Sequence, residues 1–204
     1  MLAAARQYWP DAQACHRLDK ETSGLLVFAK HAQAYRHLAI QFEERKVHKA
    51  YHAVCGGVHA FHETDVNLPI EVLRGGTVRI DRQAGKPAMT IFNTITVFRN
   101  ATLVQCEPVT GRMHQIRIHL AALKAPILAD TTYGGTLLYL SQLKRRFKLA
   151  KGEEERPLIQ RVALHAFSIG FRNIESELPV QIEAPYPKDF KALVRQLELH
   201  DAGA

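Results

Sequence analysis

Residues 16–24, His16-Arg17-Leu18-Asp19-Lys20-Glu21-Thr22-Ser23-Gly24, crowd cationic, anionic and hydroxyl side chains immediately ahead of the apolar run at residues 25–29. Side-chain direction repeats every two residues in an extended chain, so Arg17 and Asp19 project from the same side. A guanidinium and a carboxylate then share one face. The Arg17 and Lys20 cations favour the ionised form of Asp19, the form required of a nucleophile or a general base. Taken alone, an Arg-x-Asp triplet is more often an ordinary surface ion pair. A second cluster is Thr110-Gly111-Arg112-Met113-His114-Gln115-Ile116-Arg117-Ile118-His119-Leu120. On a helix His114 and Arg117 are i, i+3 neighbours, while Ile116 and Leu120 turn toward the core. The polar pair lies on another flank, from which Arg117 can reach a carboxylate on a facing strand. Alone, this too reads more simply as a basic helix face kept soluble by Arg and His.

The elements that must position these clusters follow from periodicity. Residues 24–29 form a short apolar run suited to a buried strand. Residues 31–46 carry Tyr35, Leu38, Ala39 and Phe42 at helical spacing, opposite Arg36, Gln41, Glu44 and Arg45, which predicts an amphipathic helix. Strands are expected over residues 49–58 and 77–81, the latter entered from Gly75-Gly76, and Pro87 confines residues 85–88 to a turn or edge. Residues 90–99 and 102–107 predict an antiparallel hairpin turning at Asn100. Thr110 is the expected N-cap of a helix running through Lys124 and stopped by Pro126. Residues 139–157 read as an inserted, charged helical arm holding Lys144, Arg145, Arg146, Lys148 and Lys151. Two more strands at residues 164–171 and 179–182 precede a closing amphipathic helix over 188–200. Strands outnumber helices in an order unlike alternating βαβ units. The expected fold is therefore α+β: a mostly antiparallel mixed sheet with flanking helices, in one domain over residues 1–204.

Composition narrows the partners. A net charge of +7 favours a polyanion, bound through phosphate contacts and counterion release. No apolar stretch approaches the roughly 20 residues of a membrane span, and the N-terminus carries no secretory pattern, so a cytoplasmic location is expected. Cys15, Cys55 and Cys106 are odd in number and scattered, which argues for buried thiols over disulfides. None of the closest His pairs (His48/His52, His59/His62, His114/His119) has a convincing metal-ligand spacing, so no metal is expected.

Five strings, HRLDKETSGLLVFAK, KAYHAV, GKPA, TGRMHQIRIHLA and LHAFSI, resemble the successive motifs of the RluA family of RNA pseudouridine synthases, in order and at comparable spacing. The resemblance extends from about His16 to about Leu197. It implies isomerisation of uridine to pseudouridine in ribosomal or transfer RNA, with Asp19 as the catalytic carboxylate. By the same resemblance Arg17 holds the RNA open around the flipped nucleotide, Tyr51 stacks on its uracil, Arg117 pairs with the catalytic aspartate, and Leu164 packs under the base. For Tyr51 and Leu164 alone, plain strand packing would serve as well. Uracil is detached, rotated and rejoined through C5 without redox change or group transfer, so no cofactor is called for. The target must leave the stack, at a cost of a few kcal/mol. Whether the carboxylate attacks C1′ or removes a proton from C2′ is left open by the sequence.

A hydrolytic glycosidase would need a second flanking carboxylate, and the motif-rich segments offer no suitable one. A non-catalytic RNA-binding module derived from the same family is the alternative. Family members carry a few dozen catalytic-domain residues ahead of the first motif, including an Asn-Lys-Pro segment, whereas fifteen residues precede His16 here. The expected consequence is a sheet short of strands, with an open edge prone to self-association, which size-exclusion chromatography reads directly.

Overall fold

The computed structural model describes residues 1–149 and 152–203. In chain order the elements are α1 (Leu2–Tyr8), β1 (Gln13–Ala14), β2 (Ser23–Gly24), β3 (Phe28–Ala29), α2 (Ala32–Glu43), β4 (His48–Gly56), β5 (Thr64–Asn67), β6 (Ile70–Val72), β7 (Val78–Ile80), β8 (Met89–Val97), β9 (Ala101–Pro108), α3 (Gln115–Ala122), α4 (Leu140–Leu143), β10 (Leu164–Arg172), β11 (Pro179–Glu183) and α5 (Lys188–His200). Six strands form the antiparallel path β11-β10-β4-β9-β8-β5, and β2 joins as a seventh, parallel to β10. The α+β architecture with a mostly antiparallel sheet is as the strand order predicts.

The hairpin β8–β9 is built from Thr- and Val-rich strands, with Phe92, Val104 and Cys106 fully buried in the main core. Asp201 clamps its turn, accepting from Asn100 through the backbone N–H at 2.9 Å and Nδ2 at 2.6 Å. The closing helix spans the predicted residues, with Phe190, Leu193, Val194 and Leu197 buried. On the opposite edge of β10 from β4, β11 covers residues 168–172, while β2 covers His165 and Ala166. A register shift between Ala166 and Ser168 marks the place where one neighbour gives way to the other. That handover is what seats the segment containing Asp19 against the sheet.

Several expectations need correction. The apolar run at residues 24–29 is not one strand but β2 and β3, which pair with different partners, β10 and β1. In α2, Tyr35 is exposed, and Gln41 is buried because its amide donates to Arg172 O at 2.9 Å and accepts from Arg172 N at 2.8 Å. Thr110 does not cap α3. Its hydroxyl accepts from Met89 N at 3.0 Å and donates to Gln115 Oε1 at 2.7 Å, and the helix begins only after His114. Among the described residues the charged arm is helical over α4 alone, and a run of like charges opposes further helix. Lys151 of that arm lies outside the described residues. Cys55 and Cys106 are buried, but Cys15 is only partly so. The partner strand β6 of β7 went unanticipated. Among the described residues no helix is long and apolar enough to cross a membrane.

Candidate active site

Arg17, Asp19, Tyr51, Arg117 and Leu164 come from four separate stretches of sequence, and all five line one cleft of about 690 Å³. Strand β4 supplies Tyr51, β10 supplies Leu164 at its first residue, α3 supplies Arg117, and the loop before β2 supplies Arg17 and Asp19. Arg45, Lys49 and Arg112 extend the wall, so cations outnumber the carboxylates Asp19 and Glu43 around the opening.

The loop carrying Asp19 is tied down at several points. Thr22 N–H donates to Asp19 O at 3.0 Å, closing a turn, and Leu25 N–H donates to Ala166 O at 3.0 Å. His165 Nε2 donates to Ala184 O at 3.2 Å, which leaves Nδ1 to accept from the Ser23 hydroxyl at 2.9 Å. Arg161 grips Asp189 through Nε at 2.8 Å and Nη2 at 3.0 Å, while its Nη1 donates to Glu21 O at 3.1 Å and Leu164 O at 3.2 Å. One guanidinium thus joins the loop, β10 and α5. Gly24 has φ +112°, and a Cβ there would lie 2.1 Å from Ala166 O, so only glycine lets β2 press against β10. Gly24→Ala is expected to lower stability by at least about 2 kcal/mol through backbone strain and the displaced strand. A urea midpoint equal to that of the unsubstituted protein would contradict this.

Arg117 departs from its expected pairing. Its Nε and Nη2 each donate to Asp130 at 2.7 Å, a bidentate pair in which the two side chains are 7% and 1% exposed. Its guanidinium also lies 4.9 Å from the centre of the Tyr133 ring. Burial works against the Arg117 cation, but the hydrogen bonds and charge of Asp130, with a further contribution from Asp19, raise its pKa above the ordinary value. The side chain that comes nearest Asp19 as an ion-pair partner is His114, whose Nε2 is 4.0 Å from Asp19 Oδ2. Tyr51 is held neutral: burial first, and the Asp19 charge second, push its pKa up to about 12. An un-ionised phenol whose ring faces the cleft suits stacking on a neutral base.

Asp130, Tyr133 and Arg161 were not picked out from the sequence. Asp130 did leave a trace: it is a lone acid directly after the apolar residues 127–129, followed by the turn-prone Gly134-Gly135. Among the described residues no three His, Cys, Asp or Glu side chains converge as a metal site. The chemistry on offer is that of the Asp19 carboxylate, flanking cations and an aromatic ring in a basic cleft.

The fold and the cleft together define a class, an α+β domain whose basic cleft is lined by a carboxylate, an aromatic ring and several cations. Solved structures bear out the fold: the human RNA pseudouridylate synthase domain containing 1 superposes with a TM-score of 0.66 at 26% identity, covering 98% of this chain and 85% of that one. The human domain containing 4 gives 0.69 at 23% identity, covering 97% and 81%. A family model described as RNA pseudouridylate synthase matches residues 6–122, and the chain belongs to that family. Relatives include the ribosomal large subunit pseudouridine synthase C of Vibrio vulnificus, 35% identical over 96% of this chain and 59% of that protein. Another is the ribosomal large subunit pseudouridine synthase D of Xanthomonas campestris pv. campestris, 36% identical over 96% and 57%. The chain therefore spans somewhat more than half the length of these relatives.

Proposed function

We propose that this chain is the catalytic domain of an enzyme that isomerises uridine to pseudouridine in large-subunit ribosomal RNA, in the cytoplasm. The observation that carries the proposal is the convergence of Asp19, Tyr51 and Arg117 on one cleft from three distant motifs. The target nucleotide swings out of the RNA stack into this cleft. Tyr51 stacks on the uracil, the buried Leu164 side chain packs beneath it, and the exposed Arg17 holds the place it left. Lys49, Arg45 and Arg112 bind the flanking phosphates without reading sequence.

Asp19 then acts at the ribose, either by attacking C1′ or by taking the proton from C2′. In both routes the C1′–N1 bond breaks, uracil turns, and C1′ bonds to C5. The C5 proton leaves to solvent, and N1 gains a proton. Arg117, immobilised by Asp130, supplies positive potential beside the carboxylate without having to reorganise during the reaction. No cofactor enters this scheme.

The deciding experiment uses large-subunit ribosomal RNA transcribed with uridine tritiated at C5. Tritium released to water, stoichiometric with new pseudouridine, is the expected result. Free uracil would instead indicate hydrolysis, and binding with neither product would identify a non-catalytic RNA-binding module.

A further inference from the structure

His114 faces the same cleft, and the scheme above gives it no task. It stands at the start of α3 in the left-handed region, with φ 50° and ψ 21°, a conformation a non-glycine residue keeps only where its surroundings hold it. Its Nδ1 lies 2.8 Å from the Tyr133 hydroxyl, whose oxygen also accepts the Val78 N–H at 3.0 Å. All three groups are satisfied when the Tyr133 O–H donates to Nδ1, and this leaves the proton of the neutral ring on Nε2. The Nε2–H is then the free donor, 4.0 Å from Asp19 Oδ2. That gap is too long for a hydrogen bond, yet a small swing of the carboxylate closes it.

We propose that His114, held as its Nε2–H tautomer by Tyr133, is a positioning residue for Asp19, donating the hydrogen bond that aims the carboxylate once a nucleotide fills the cleft. This deepens the function proposed above and rests on it. The two side chains are 17% and 20% exposed, so the bond forms in partly dry surroundings, where a charge-assisted hydrogen bond is stronger than in water. It also accounts for Tyr133, which touches both His114 and Arg117 and so couples the two groups beside Asp19.

A pH signature follows. The charged and titratable groups around the ring are Asp19 and Arg17 from the loop before β2, Arg117 from α3, and Asp130 and Tyr133 from the loop after it. Burial first, and the Arg117 charge second, hold the His114 pKa below the usual imidazole value, against the pull of Asp19 and Asp130. The ring is therefore neutral at neutral pH. Acidification puts a second proton on Nδ1, which opposes the Tyr133 O–H and turns the imidazole into a cation that captures Asp19 in an ion pair. Activity falls as pH drops through the His114 pKa, below the ordinary histidine range.

The test is single-turnover tritium release from large-subunit ribosomal RNA, across a pH series, for the unsubstituted chain, His114→Ala and His114→Gln. RNA affinity is measured separately by filter retention. Glutamine keeps an N–H close to the position of Nε2 but does not titrate. His114→Ala is expected to lose about 100-fold in rate with little change in affinity, the size of effect seen when one preorganised donor is removed. His114→Gln is expected to recover about tenfold of that loss and to lack the acid limb of the pH profile. Should His114→Ala fail to fold, the acid limb compared between the unsubstituted chain and His114→Gln decides the matter. A rate for His114→Ala within about threefold of the unsubstituted chain would overturn the proposal, as would an unchanged acid limb in His114→Gln. No tritium release from the unsubstituted chain would overturn the functional proposal, and this one with it.

Discussion

Asp19→Asn is expected to abolish tritium release while leaving the protein folded and bound to RNA. Asparagine matches aspartate in shape but can neither attack a sugar carbon nor take its proton. The rate should drop by about 10⁴-fold or more, the range associated with removing a group that does the chemistry itself. Stability should move little, because the Asp19 side chain is only partly buried and its nearest ionic partner, His114, is 4.0 Å away. RNA binding should hold or tighten slightly, since the change removes a negative charge from a cleft that also carries Arg17, Arg45, Lys49, Arg112 and Arg117. The pattern to look for is thus lost turnover with retained affinity and an unchanged melting curve. Substantial turnover by this variant would remove position 19 from the chemistry.

The second large effect is expected at Asp130, where stability and activity should fall together. Asp130 is 1% exposed, and both its oxygens are taken by Arg117 at 2.7 Å. Asp130→Asn keeps the volume but leaves the Arg117 cation buried without a counter-charge, which costs about 3–5 kcal/mol. For a chain of this size that corresponds to a melting temperature lower by roughly 10 °C. Arg117 would also lose the anchor that fixes it beside Asp19, and turnover should fall beyond what the lost folded fraction explains. The double variant Arg117→Met/Asp130→Leu separates the two effects. Replacing a buried ion pair by apolar side chains of similar size is often neutral for stability, so melting should recover while activity does not. Recovery of both would show that the pair serves the fold alone.

Much of this is legible in the amino-acid sequence. Helix α5 spans the predicted residues, and the β8–β9 hairpin lies within a residue or two of its expected bounds, because each has a regular apolar period and a clear turn or stop. The five site residues carried by the motif series all reach one cleft. Local pattern misleads where a side chain finds a partner far away in sequence. Thr110 looks like a helix cap, but the sheet brings Met89 N within reach of its hydroxyl, and α3 starts five residues later. Gln41 belongs to the polar face of α2 by periodicity, yet β10 passes close enough for its amide to bond both polar groups of the Arg172 backbone.

The sequence by itself determined the family, the α+β class, the secondary structure of the regular segments, and which side chains gather in the cleft. Tertiary structure decided which acid holds Arg117, why Gly24 must be glycine, and which hydroxyl the His114 ring meets. The reason is physical: periodicity and capping are local properties of a chain, whereas the choice among several carboxylates depends on where loops reverse. Lys124 and Ala129 adopt positive φ in the turn after α3, and that turn carries Asp130 back to the Arg117 side chain. Nothing local to either residue announces the meeting.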